Sequence, residues 1–349
     1  MRVTAQVIQI VPRRGSVTDG VADQARMLAD ELRAGHGISS VFLGGDAAAF
    51  EEQLRINSAG TDTIIVHYVN YGYARRGCPT WLVDGLERWR AARGEHHLVV
   101  VFHELYAFGP PWRSSFWLFP VQRALARRLA NIADAAITSL PRYARQLRTW
   151  GVSQDDLWTR GVFSNVGEVT NPAPLSARRR RLVVFGSAGV RARLYDNGPA
   201  ALRAWIGQLG IEELVDIGPA ISSGTNVAGL KVLPMGVLAA EEVSVFLRDS
   251  YAGAVAYPPG YLGKSSIFAA YCAHGLLPLV FSGGRKGEEE VRPGDHYLLI
   301  DATPPAATDG VAQAIATKAH AWYMTHSVAQ AAQWLAGRIT ADRGSPADT

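Results

Sequence analysis

Lys264, Ser265 and Ser266 stand where a Pro/Gly-broken loop, Tyr257 to Gly263, gives way to a helical run. The spacing predicts a helix starting near Lys264. The first turn of a helix leaves backbone N–H groups unpaired at the positive end of the macrodipole, and a lysine with two hydroxyls adds a charge and two donors there. A cation at that end opposes the dipole, so Lys264 asks for a compensating anion, and a phosphate suits the group. A second loop of this kind lies near the amino end: Pro12 to Gly20, with Arg13, Arg14, Gly15, Ser16 and Asp19, separates an apolar run from helical periodicity. Asp19 suits an N-cap, Val21, Ala25, Leu28, Ala29 and Leu32 share one face, and Gly35 and Gly37 end the helix. Two strand–loop–helix anion sites, one in each half, suggest a ligand held between two α/β lobes.

Titratable groups cluster at the ends of apolar runs. His103 and Glu104 close one, His67 another, and open α/β folds place ligands at such strand ends. The plain alternatives are a structural histidine bonded to a carbonyl and a surface ion pair for Glu104. His274 reads as a residue that helps end its helix. Gly260 to Ser265 resembles a phosphate-binding P-loop, but that motif wants glycine where Pro258 stands, which argues against a nucleoside triphosphatase. Trp112, Phe116, Trp117 and Phe119 precede Arg123, Arg127 and Arg128, a grouping suited either to core packing or to a membrane surface. The run Arg178 to Arg181 reads as a solvated linker, with a phosphate-rich partner as the alternative.

These residues must be positioned by elements. With 349 residues, 48% of them hydrophobic, the chain can build two packed cores. Strands are expected over 3–11, 39–43, 63–69, 97–103 and 135–139, with helices over 79–89 and 120–132. After a linker the alternation restarts at 181–186, 213–218, 230–234, 253–257, 277–281 and 297–300, and helices over 309–319 and 321–338 close the chain. Continuous apolar strands mark parallel sheets covered on both faces, so the fold class is α/β, doubly wound and repeated. The expected organisation is a first domain over 1–165, a linker over 166–181 and a second domain over 182–325. A helix over 326–340 packs back on the first domain, and a disordered tail covers 341–349. Cys78 and Cys272 form neither a disulfide framework nor a zinc site, and no apolar run has transmembrane length or signal-peptide form, which suggests a cytoplasmic protein. The net charge of +4 is local, and no nucleic-acid module is present.

The order of these motifs resembles that of the GT-B glycosyltransferases, specifically the retaining GT4 type. Gly15 to Leu32 looks like the family's glycine loop and first helix, and Val101 to Leu105 like its histidine-bearing strand end. Ala136 to Leu147 looks like the strand and helix that close the first lobe, and His67 to Tyr73 is similar to bacterial polysaccharide-assembly members. The resemblance implies two Rossmann-like domains facing each other across a cleft. It implies a metal-independent, retaining transfer of a sugar from a nucleotide diphosphate to a glycan, lipid-linked or small-molecule acceptor, with no cofactor. The site residues it implies are His103 and Glu104 for catalysis, and Gly15, Ser16, Asp19 and Gly20 for the acceptor loop. For the donor phosphate they are Gly186, Ser187, Arg191, Arg193, Lys264, Ser265 and Ser266. Peripheral contact with the inner membrane face fits the same reading. Two glutamates usual in the family fall on Leu262 and Ala270, and Ser187 stands where an arginine is expected, with Arg191 and Arg193 as substitutes. The alternatives are a nucleotide-sugar epimerase and a non-catalytic binding or partner subunit.

Overall fold

The computed structural model describes residues 5–12, 20–44, 47–221, 226–227, 229–285, 290–301 and 308–341. The chain divides into two compact units, Met1–Arg160 with Val328–Thr349, and Gly161–Ser327.

The first unit alternates strand and helix. Its elements run β1 (Ala5–Val11), α1 (Gly20–His36), β2 (Ile38–Gly44), α2 (Phe50–Asn57), β3 (Thr63–Tyr68), α3 (Asn70–Tyr73), α4 (Thr80–Ala92), β4 (His97–Phe102), α5 (Ser114–Ile132), β5 (Ala135–Thr138), α6 (Pro141–Thr149) and β6 (Leu157–Thr159). Every pairing is parallel, in the order β2-β1-β3-β4-β5-β6, so the chain steps outward to β2 and returns past β1 to β3. Ligands in such sheets sit at the carboxyl ends beside that reversal. β3 and β4 are buried at every position, as a sheet covered on both faces requires. The short β6 was not anticipated, and α5 begins six residues before the expected start at Pro120.

The second unit contains β7 (Arg179–Phe185), α7 (Ala188–Asn197), α8 (Pro199–Gln208), β8 (Glu213–Ile217), β9 (Asn226–Val227), β10 (Leu230–Gly236), α9 (Ala240–Arg248), β11 (Ser250–Ala256), α10 (Ser266–Ala273), β12 (Leu277–Phe281), β13 (Leu298–Leu299) and α11 (Asp309–Met324). Its sheet order is β13-β12-β11-β7-β8-β10-β9, parallel except for β9. Here the reversal falls between β7 and β11. α12 (Val328–Ala341) belongs to the first unit, where its buried Ala332, Leu335 and Ile339 accompany packing on α1.

The expected linker over 166–181 is not one. Residues from Gly161 onward belong to the second unit, Leu175 is buried in its core, and β7 already begins at Arg179. The helix break expected near His320 falls instead at Thr325–Ser327, because Ala312, Ile315, Ala316, Ala319, Trp322 and Tyr323 keep one buried face through α11. Ala341, expected to open the tail, instead closes α12; residues 342–349 lie outside the described residues.

Candidate functional site

In the first unit a chain of polar side chains crosses four adjacent strands toward His103. Gln9 on β1 and His67 on β3 are buried, and Ser40 stands on β2. Gln9 Nε2 donates to Ser40 Oγ at 2.9 Å, which turns Gln9 Oε1 toward His67 Nε2, also at 2.9 Å. A carbonyl oxygen only accepts, so His67 Nε2 carries the proton and Nδ1 is left as an acceptor. His103 Nε2 lies 3.3 Å from that Nδ1 and donates to it. The network thereby fixes the tautomer, and neutral His103 carries its lone pair on Nδ1. Burial pushes the His67 pKa down to about 4, so it stays neutral near pH 7. The backbone amides of His103 and Glu104 both point to Tyr68 O, at 3.1 and 3.4 Å, which holds the β4 turn against the end of β3.

His67 and His103 were both singled out in the sequence; Gln9 and Ser40 were not. The available signal was a glutamine inside an otherwise apolar strand, since a buried amide needs partners. Gly15, Ser16 and Asp19 lie outside the described residues, while Gly20 opens α1 in an exposed position.

In the second unit Gly186 opens the turn after β7 with φ +124°, and a Cβ there would lie 2.5 Å from Ile267 Cδ1. Only glycine fits, and the contact sets the β7 turn beside the start of α10. Ser187 is exposed and precedes α7. Arg191 corrects the sequence reading. Its side chain is 1% exposed and pairs with Asp216, whose other oxygen accepts from Tyr195 at 2.6 Å. Its remaining donors go to Gly186 O and Pro219 O, clamping the turns after β7 and β8 together. Such a guanidinium holds the scaffold and is not offered to a diphosphate.

The helix expected at Lys264 starts two residues later. Pro258 and Pro259 lead into a 3-10 turn, Pro259–Lys264, which ends at the extended residue Ser265. Ser265 is buried and its Oγ accepts from Phe268 N at 3.2 Å as the N-cap of α10. Lys264 and Ser266 are half-buried at the turn. Leu262 and Ala270, at the positions of the usual glutamates, are buried in the core.

A cavity of about 670 Å³ opens at the carboxyl ends of β11 and β12, lined among others by Arg193, Asn197, Tyr257, Phe281, Ser282 and Arg285. Among the described residues, Arg193 is the one expected donor residue that lines it. Arg285 was missed; its signal was a cation in the Ser-Gly-Gly-Arg turn directly after a strand. Asp301 braces that turn by accepting from Ser282 N, Ser282 Oγ and Gly284 N. Burial opposes its charge, but these hydrogen bonds outweigh burial and hold its carboxyl below the usual range.

The arginine run is neither a solvated linker nor a phosphate patch. Arg178 is buried and donates to Ala173 O, Ser250 O and His274 O, and burial lowers its pKa to about 10. Arg179 pairs with Asp249, Arg180 with Asp309, and Arg181 with Glu213. Four consecutive arginines, the last three on β7, thus staple neighbouring elements of the second unit. His274 caps α10, with Nδ1 donating to Ala270 O and Nε2 accepting from Ser244 Oγ, both at 2.8 Å. Glu290 is exposed, and Glu288 and Glu289 lie outside the described residues. Among the described residues no group of three or more His, Cys, Asp or Glu could hold a metal ion, and no helix is long and apolar enough to cross a membrane.

No family model matches the chain, and no curated protein matches it. Solved structures do. A protein described as a UDP-N-acetylglucosamine 2-epimerase from Listeria monocytogenes superposes with TM-score 0.60 at 13% identity over 99% of this chain and 98% of that one. The UDP-GlcNAc 2-epimerase from Neisseria meningitidis bound to UDP-GlcNAc gives 0.58 at 9% identity over 96% and 100%. An alpha-glucosyltransferase in complex with UDP and DNA gives 0.57 at 10% identity over 96% and 99%. The fold is therefore that of the GT-B glycosyltransferases, which these 2-epimerases share.

Proposed function

We propose that the protein is a retaining, metal-independent glycosyltransferase of the GT4 type, moving a sugar from a nucleoside diphosphate to a glycan, lipid-linked or small-molecule hydroxyl in the cytoplasm. The observation that carries this reading is the arginine-lined cavity at the carboxyl ends of β11 and β12, in a fold whose solved representatives hold UDP or a UDP-sugar. Arg193 and Arg285 supply fixed positive charge for a diphosphate, with Lys264, Ser266 and the Gly186–Ser187 turn as further donors. Cations and amides stabilise the departing diphosphate, so the sugar develops positive charge without a metal or a carboxylate nucleophile. His103, its tautomer set by His67, contacts the donor sugar, and Glu104 lies beside it to stabilise the developing charge.

The test is a pair of titrations on wild type and His103→Ala, with UDP and with intact UDP-sugars, together with turnover. The expected result is a large loss of turnover with affinity for UDP nearly unchanged, because UDP lacks the sugar that the histidine touches. An equal loss for both ligands would remove His103 from this role.

One observation favours a second reading, a non-catalytic binding subunit: Leu262 and Ala270 are buried apolar residues where two carboxylates are usual. UDP-sugar binding without turnover toward any acceptor would select it. Conversion of one free UDP-sugar into its epimer would instead select an epimerase, the activity named for two of the similar structures.

A further inference from the structure

The loop after β4 and the start of α5 carry large aromatic side chains into solvent: Phe108 is 68% exposed, Trp112 83% and Trp117 70%. They are held there by structure. Phe108 packs on Phe116 and Phe119 with centroids 5.9 and 5.2 Å apart, and Trp117 Nε1 donates to Pro111 O at 2.8 Å. Buried Gln122 ties the region together by accepting from Asn70 Nδ2 and Ala107 N and donating to Arg76 O. The surface is therefore a built feature at the carboxyl ends of β3 and β4.

Its charge has one sign. From Leu105 to Ala133 the chain has four arginines and neither aspartate nor glutamate. Arg128 is engaged by Asp84 and Glu87 of α4, whereas Arg113, Arg123 and Arg127 are exposed and, among the described residues, meet no carboxylate. On α5, Trp117, Val121, Ala124, Arg123 and Arg127 fall on one exposed arc, opposite the buried Gln122, Leu125, Ala126 and Leu129.

We propose that this face docks on an anionic lipid bilayer. A bilayer surface offers anionic headgroups and an apolar layer side by side, which is what exposed arginines next to exposed Trp and Phe require. A nucleic acid would satisfy the arginines but leave Phe108 and Val121 without an apolar partner. The inference does not depend on the transferase reading, and its test uses no nucleotide.

The experiment is flotation of the full chain with vesicles of phosphatidylcholine alone or mixed with phosphatidylglycerol, followed also by tryptophan quenching with brominated lipid. Binding to the mixed vesicles is expected, weakening with salt and by about fivefold for each of Arg113→Gln, Arg123→Gln and Arg127→Gln. Trp112→Ser and Trp117→Ser should abolish the quenching. All five positions are exposed, Trp117 alone adding a ring contact with Phe116 and its hydrogen bond to Pro111 O, so an unchanged melting temperature certifies each variant. Absence of vesicle binding, or binding indifferent to these substitutions, overturns the proposal. So does binding of single-stranded DNA that depends on the same residues while vesicles are ignored, or a dimer dissolved by Trp112→Ser without vesicle binding.

Discussion

His103 Nε2 lies 3.3 Å from His67 Nδ1, with 5.5 Å between ring centroids and 21° between ring planes. The centroid separation is close to the nitrogen separation plus the two ring radii, so the imidazoles meet edge to edge in nearly one plane. That is hydrogen-bond geometry and not face stacking. The proton between them belongs to His103, because Gln9 Oε1 commits the His67 proton to the far side.

Gln9→Leu should release this tautomer and strand the buried His67 N–H. Stability should fall by about 1–3 kcal/mol. If Gln9 also positions His103 through His67, the long-range 15N pattern of both imidazoles should change tautomer, and turnover should fall while UDP affinity holds. An unchanged 15N pattern would reduce Gln9 to a packing residue.

Arg191 and Arg193 should separate cleanly. Arg191→Ala leaves Asp216 buried without its cation, and breaking a buried pair costs about 3–5 kcal/mol. Arg193→Ala and Arg285→Ala remove exposed charges from the cavity rim and should shift stability by no more than about 0.5 kcal/mol. UDP affinity, read by calorimetry, should drop in the latter two. Full UDP affinity in the Arg193→Ala, Arg285→Ala double variant would remove the cavity from the donor site.

Lys264→Ala should weaken UDP binding by about 1–3 kcal/mol, the range for a charge-assisted hydrogen bond. Lys264 ends a 3-10 turn and does not begin α10, so its removal should not stabilise that helix. A Tm gain with unchanged UDP affinity is the result that would reject the assignment.

Acid should destabilise both units. Burial pushes His67 in the first unit and His274 in the second down to about 4, while the unfolded chain binds these protons near 6.5. The unfolded state therefore holds more protons between those values, and stability is complete above about pH 6.5 and lost as pH falls toward 4. Each histidine contributes on the order of 3 kcal/mol across that window. Urea unfolding at pH 7 and pH 4.5 should show the loss; His274→Gln should flatten the slope of the second unit and leave that of the first.

The two sheets were legible in the sequence because a strand buried on both faces is a local signal: Thr63–Tyr68, His97–Phe102 and Leu277–Phe281 are apolar runs wherever they end up. The strand-end position of His103 was legible for the same reason, since it follows its own strand directly, whereas the close approach of Gly186 to Ile267 was not, because Ile267 is brought from α10. What a polar side chain bonds to is not local. Arg178 to Arg181 look alike in the chain, yet each meets a partner brought from a different element, and Arg191 and Arg193 differ only in which side of α7 faces Asp216. The Ser40–Gln9–His67–His103 chain exists because four strands align in parallel, and the return of α12 to α1 depends on a face completed only after the second unit has been traversed. Burial patterns are written residue by residue, whereas hydrogen-bond and ion-pair partners are chosen by the packed fold.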